Sequence, residues 1–233
     1  MVFDKEAAFE EAVITVLKQH GWDDAGGVLR YPTEQDLINN WAKILFQNNA
    51  DIDRLNGYPL TQGEMAQVIE QIETLKTPLA LNGFINGKTV AITRDNPDDA
   101  LHLGKEVSLK IYDRQEIAAG QSRYQIAQQP VYPAKSKILN DRRGDLCLLI
   151  NGMPVIHIEL MRSGIPVSQA TGQIEKYAHE GVFTGLFRLV QIFVGILLNL
   201  TGGLADGDAA ALELDMDNRH AVDEQAQVSA AVV

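Results

Sequence analysis

Residues 144–161 read Gly-Asp-Leu-Cys-Leu-Leu-Ile-Asn-Gly-Met-Pro-Val-Ile-His-Ile-Glu-Leu-Met, and that run leaves the chain little conformational choice. Two apolar segments, 145–150 and 155–160, flank Asn151-Gly152, the dipeptide best suited to the dihedrals of a tight hairpin turn. The hairpin also carries chemistry. Asp145 opens one strand and Glu159 closes the next, and two carboxylates at the ends of paired strands can hold a Mg²⁺ ion. A lysine two residues beyond the second carboxylate would orient an attacking water and stabilise a charged, phosphorane-like transition state. Met161 stands at that position.

Side chains alternate faces along a strand. Val155, His157, Glu159 and Met161 therefore share one face, and Ile156, Ile158 and Leu160 form the opposite, core-facing one. A strict two-residue turn pairs residue 150 with 153 and sends Asp145 and Glu159 to opposite faces. A one-residue bulge, for which Gly152 is suited, returns them to one face. The metal-site reading therefore requires a bulge. Without one, Asp145 is a strand-end acid and Glu159 a solvated rim residue.

Upstream, residues 5–20 have helical periodicity through Phe9, Val13, Val16 and Leu17, with Gly21 as C-cap and Trp22 returning to the core. Thr33 caps a second helix over 34–47, with Leu37, Trp41 and Leu45 on one face. Thr61-Gln-Gly-Glu64 is a capping box that opens a third helix burying Met65, Val68, Ile69, Ile72 and Leu75, with Pro78 at its end. Strand patterns follow at 87–94 and 106–112. Residues 124–132 make a weaker strand that Pro130 demotes to an edge or loop. Residues 135–143 are a basic connection. After the hairpin come a helix over 168–180 and a strand over 189–194. Residues 201–233 are rich in Ala, Asp and Gly, which predicts a poorly ordered tail.

Composition excludes several classes. Cys147 is the sole cysteine, so neither an intramolecular disulfide nor a cysteine-cluster metal site can form; mid-strand among leucines, it reads as a small buried apolar residue. The charged N-terminus is no signal peptide, so a cytoplasmic address is expected. The apolar stretch 181–204 is broken by Arg188, Gln191, Asn199 and glycines, which argues against a membrane span. Net charge is −11, of which residues 201–233 carry −6 and residues 1–200 the remaining −5. Such an acidic chain is not built to hold DNA by itself, because phosphate contacts favour basic surfaces. No Gly-x-x-x-x-Gly-Lys-Ser/Thr loop occurs, so no ATP site can be argued.

Further residues can serve the hairpin site. Gln169, Gln173 and Tyr177 recur at helical spacing and can contact phosphates or unpaired bases without bringing charge near a metal; the alternative is an ordinary amphipathic helix packed through Ile174, Tyr177 and Ala178. His157 is a ligand, a base or a satisfied half-buried histidine. Glu11 in the first helix is a further metal-binding candidate or a solvated acid. Lys176 and Arg162 are conceivable substitutes for the absent lysine.

Asp145, Glu159-Leu-Met161 and Gln173-Ile-Glu-Lys-Tyr177 together resemble the nuclease domain of the restriction (R, or HsdR) subunit of type I restriction-modification enzymes. That family has an Asp…Glu-x-Lys core of the PD-(D/E)xK superfamily followed by Gln-x-x-x-Tyr. The wording of the hairpin, of Leu189–Val194 and of the helix through Phe9, Glu10, Glu11 and Trp22 is similar too. The resemblance implies an α/β, restriction-endonuclease-like fold with a mixed central sheet flanked by helices over residues 1–194, and a divergent acidic tail over 195–233. It implies a Mg²⁺-dependent DNA endonuclease in which Asp145 and Glu159 bind metal, Glu11 adds an acid, and Gln173 and Tyr177 assist cleavage or contact DNA. The partners implied are DNA and the methylation and specificity subunits, with no membrane. Full-length members use ATP through motor domains. Met161 at the lysine position predicts impaired catalysis, and the short, unlike C-terminus predicts a truncated or frameshifted subunit. The competing reading is a non-catalytic module that docks on the methyltransferase complex.

Overall fold

The computed structural model describes residues 2–22, 27–87, 89–111, 122–133, 141–161 and 183–197. The expected helix over 168–180 and the tail beyond 197 lie outside the described residues, as do Gln173, Tyr177, Arg162 and Lys176.

The described residues form four α-helices: α1 (Val2–Gln19), α2 (Glu34–Asn48), α3 (Gln62–Thr74) and α4 (Pro78–Ile85). Their starts follow from local chemistry. The Thr33 and Thr61 hydroxyls accept from the backbone N–H groups of Asp36 and Glu64, whose carboxylates reach back to the cap N–H groups, so two orphan donors are satisfied at each start. Pro78, read from sequence as the end of α3, is instead the first residue of α4, where a missing N–H costs nothing.

The strands are β1 (Leu29–Arg30), β2 (Thr89–Thr93), β3 (Glu106–Lys110), β4 (Tyr124–Gln128), β5 (Val131–Tyr132), β6 (Arg142–Arg143), β7 (Leu146–Ile150), β8 (Met153–Met161) and β9 (Ile192–Leu197). A five-stranded mixed sheet runs β1-β4-β7-β8-β9, with β2-β3 and β5-β6 as separate antiparallel ribbons. This is the mixed sheet flanked by helices that the resemblance led us to expect. Strand β4 differs from expectation. It is interior, parallel to β1 and antiparallel to β7. Pro130 lies beyond its last residue, so the proline ends the strand without removing a ladder donor.

The sheet separates two apolar layers. Phe9, Val13, Ile14 and Leu17 of α1 pack on Ile126, Leu146, Leu148 and Ile158. On the other face, α2, α3 and a 3₁₀ turn (Gly185–Leu189) pack on Ala127, Cys147, Leu149 and Val155. The hairpin tip is seated against α2: a Cβ added at Gly152 would lie 2.9 Å from the Trp41 Cα. Away from the site, a fully buried Arg94 pairs with Glu64 (2.6 Å) and Asp99 (3.1 Å), tying the β2–β3 connection to α3. No described helix is long and apolar enough to cross a membrane.

Candidate active site

The β7–β8 turn is a two-residue turn, with Asn151 at φ +51° and Gly152 at φ +86°. The ladder starts with Ile150 opposite Met153 and Leu149 opposite Pro154, then skips: Leu148 faces Ile156, Cys147 faces His157, and Leu146 faces Ile158. Val155 is the extra residue. The required bulge thus exists, but at Val155 rather than at Gly152. Pro154, which cannot donate to a ladder, directly precedes it, and the Val155 carbonyl turns to accept from Gln191 N–H (2.9 Å) beside β9. Continued one step, this register sets Asp145 opposite Glu159.

The two acids meet at one end of the sheet, where β4 finishes, β7 begins and β8 finishes. Leu160 N–H donates to Asp145 Oδ2 at 2.6 Å, and the Glu159 carboxyl lies close beside the Asp145 side chain. Burial, then the facing Glu159 charge, and to a smaller degree Glu10, push the Asp145 pKa up to about 7, against the lowering effect of the Leu160 N–H. Two carboxylates this close cannot both ionise freely.

A third carboxylate comes from α1, and it is Glu10. This residue is 5% exposed. Its Oε2 accepts from Gln129 Nε2 (3.0 Å), while the Gln129 backbone N–H donates to the Asp145 carbonyl (2.7 Å). Its Oε1 is buried and accepts no hydrogen bond among the described residues. Glu11, the acid singled out from sequence, is exposed and sits 3.4 Å from Arg30. A sequence signal for Glu10 did exist: it falls three, four and seven residues before Val13, Ile14 and Leu17, inside the apolar stripe of α1.

His157 is fully buried, not half-buried. Its Nε2 lies 2.7 Å from Glu159 Oε1 and its Nδ1 lies 2.7 Å from the Tyr132 hydroxyl. A carboxylate oxygen accepts, so the tautomer that suits this arrangement carries its proton on Nε2 and accepts the tyrosine O–H at Nδ1. Edge-on contacts with Phe183 and Phe193 enclose the imidazole. Cys147, one strand away, is buried as expected, and burial pushes its thiol up to about 12, so it is inert. Met161 closes β8 opposite Leu197.

The donors present fit a hard divalent cation. They are the carboxylate oxygens of Asp145 and Glu159, with Glu10 near enough for its charge to raise the Asp145 pKa and with one Glu10 oxygen orphaned. Among the described residues no group of three or more His, Cys, Asp or Glu is already gathered as a metal site, yet Mg²⁺ characteristically uses one or two carboxylates and completes its shell with water and substrate phosphate.

Residues 4–199 match the family model for the type I restriction enzyme R protein N terminus. The chain is 31% identical over 194 residues to the endonuclease subunit of a type I restriction enzyme from Staphylococcus saprophyticus, an alignment covering 83% of this chain and 18% of that protein. It is 27% identical over 194 residues to a type I restriction enzyme endonuclease subunit from Staphylococcus aureus, with the same coverages. It is 26% identical over 176 residues to the EcoprrI endonuclease subunit of Escherichia coli, covering 69% of this chain and 52% of that one. The chain spans about a fifth of the length of the staphylococcal relatives.

Proposed function

The chain belongs to the family of type I restriction enzyme R protein N termini, and from that premise we propose that it is a Mg²⁺-dependent DNA endonuclease domain centred on Asp145 and Glu159, working on DNA brought to it by methylation and specificity subunits. The observation that carries this reading is the bulge at Val155. It sets two acids face to face at a sheet end, where burial first and their mutual repulsion second lift Asp145 to about 7. A purely structural sheet gains nothing from that repulsion.

Asp145 and Glu159 would hold the metal, with Glu10 in place of Glu11 as the further acid. Bound there, Mg²⁺ would supply an acidified water and neutralise charge on the phosphate. The Leu160 N–H keeps the Asp145 carboxylate aimed at Glu159, and Gln129 holds Glu10 in place. Gln173 and Tyr177 remain proposed DNA contacts. Met161 can neither donate a hydrogen bond nor carry charge, so the proposed activity is impaired. Loss of one transition-state donor typically lowers the rate by roughly 10²–10³.

The test is plasmid nicking by the full chain with Mg²⁺. We expect Met161→Lys to gain metal-dependent nicking by about that factor, and Asp145→Ala in the same background to abolish it. Cleavage that survives Asp145→Ala would overturn the assignment. Met161 itself favours a second reading, a non-catalytic module docking on the methyltransferase complex. That module would bind the complex equally well in EDTA, and Met161→Lys would gain nothing.

A further inference from the structure

We propose that Tyr132 and His157 are positioning residues for the Glu159 carboxylate: a buried Tyr132–His157–Glu159 relay fixes the orientation in which that carboxylate meets the metal. This rests on the Mg²⁺-site reading above. The relay is continuous, with a 2.7 Å hydrogen bond on each side of the imidazole. Every member is sequestered, since Tyr132 and His157 are 0% and Glu159 4% exposed. A glutamate has three side-chain torsions, and a strand-end glutamate without a partner would sample several rotamers. Here Oε1 is held by His157 Nε2, which restricts the torsions of the Glu159 side chain.

Two further features show that the relay is built into the fold. Tyr132 stacks edge-on against Phe187 and Phe183 at centroid distances of 4.4 and 5.6 Å, so its hydroxyl has a fixed origin. Gly144, immediately before Asp145, makes room for it. A Cβ there would stand 2.7 Å from His157 Cε1, 2.7 Å from Tyr132 Cε2 and 2.9 Å from the Tyr132 hydroxyl. The absence of a side chain at 144 thus lets the tyrosine–histidine pair reach the strand end that carries the acids. A histidine serving only as packing would not need a donor aimed at the carboxylate. Removing hydrogen-bond partners of metal-ligating groups typically weakens metal affinity by about 10–100-fold.

The experiment is a Mn²⁺ titration of the full chain, read by the loss of the free-ion paramagnetic resonance signal, beside thermal unfolding of each variant. His157→Leu fills the aromatic enclosure but has no donor, and should weaken Mn²⁺ binding by about 10–100-fold. His157→Gln keeps a donor at the distance of Nε2 and should recover most of that loss. Tyr132→Phe keeps the ring, removes only the hydroxyl, and should weaken binding by roughly 10-fold; it also carries the test if His157→Leu does not fold. Parental affinity in folded Tyr132→Phe, or equal affinities in folded His157→Leu and His157→Gln, would overturn the relay. If the parent binds no Mn²⁺, or if Glu159→Gln binds as well as the parent, the metal-site reading itself fails and the relay falls with it.

Discussion

Replacing Asp145 by asparagine should stabilise the folded domain at neutral and alkaline pH while disabling the site. Folding raises the Asp145 pKa from 3.8 to about 7, through burial first and the facing Glu159 second. The folded state therefore holds this proton more tightly than the unfolded one. Its contribution is favourable in full below 3.8 and is lost as pH rises towards 7. A shift of about three units corresponds to about 4 kcal/mol. The half-buried carboxyl keeps some water contact, so this is a ceiling. Asparagine is isosteric: its Oδ1 can still accept from Leu160 N–H, and its amide can donate to Glu159 without a charge of its own. Chemical denaturation in EDTA should show the variant and parent nearly equal at pH 4. At pH 8 the variant should lead by up to about 4 kcal/mol, a midpoint rise on the order of 10 °C for a domain of this size. Mg²⁺ should narrow the gap at pH 8 by stabilising the parent alone. A difference between the two proteins that does not grow from pH 4 to pH 8, or a variant weaker than the parent at pH 8, would refute the argument.

Other consequences follow from the packing. Arg94→Met leaves Glu64 and Asp99 buried without their cation, and urea denaturation should register a loss of about 3–5 kcal/mol; a loss below 1 would mean that water reaches the pair. Gly152→Ala places a Cβ at φ +86° and 2.9 Å from Trp41, which should destabilise by roughly 1–3 kcal/mol. An unchanged melting temperature would show that the hairpin tip is not seated on α2. Glu10→Gln should weaken Mn²⁺ binding whereas Glu11→Gln leaves it at the parental value, and the reverse order would restore Glu11 as the third acid.

Much of the fold was legible in sequence because its determinants are local. Thr33 and Thr61 reveal their capping boxes within three residues. Asn151-Gly152 has side-chain chemistry that tolerates positive φ and so announces its turn. The alternation of β8 assigned Ile156, Ile158 and Leu160 to the core, and they pack on the α1 side. The identity of the acids on the hairpin was likewise plain, as was the need for a bulge between them, because a period of two allows only two outcomes.

What the sequence could not decide were matters of register and rotation, which are set by neighbours far away along the chain. The bulge falls at Val155 because Pro154 interrupts the ladder and Gln191, just before β9, offers its N–H to the Val155 carbonyl. Adjacent residues on a helix differ by about 100°, so the roll of α1 on the sheet selects Glu10 over Glu11. Tyr132 and His157 are 25 residues apart, and the pairing of β5 with β6 just ahead of β7, with Gly144 leaving room, makes them partners. The sequence by itself determined which acids this domain carries and the strands that present them. The tertiary structure alone decided which carboxylates meet and what holds them, because burial and long-range pairing fix the side-chain directions that local pattern leaves open.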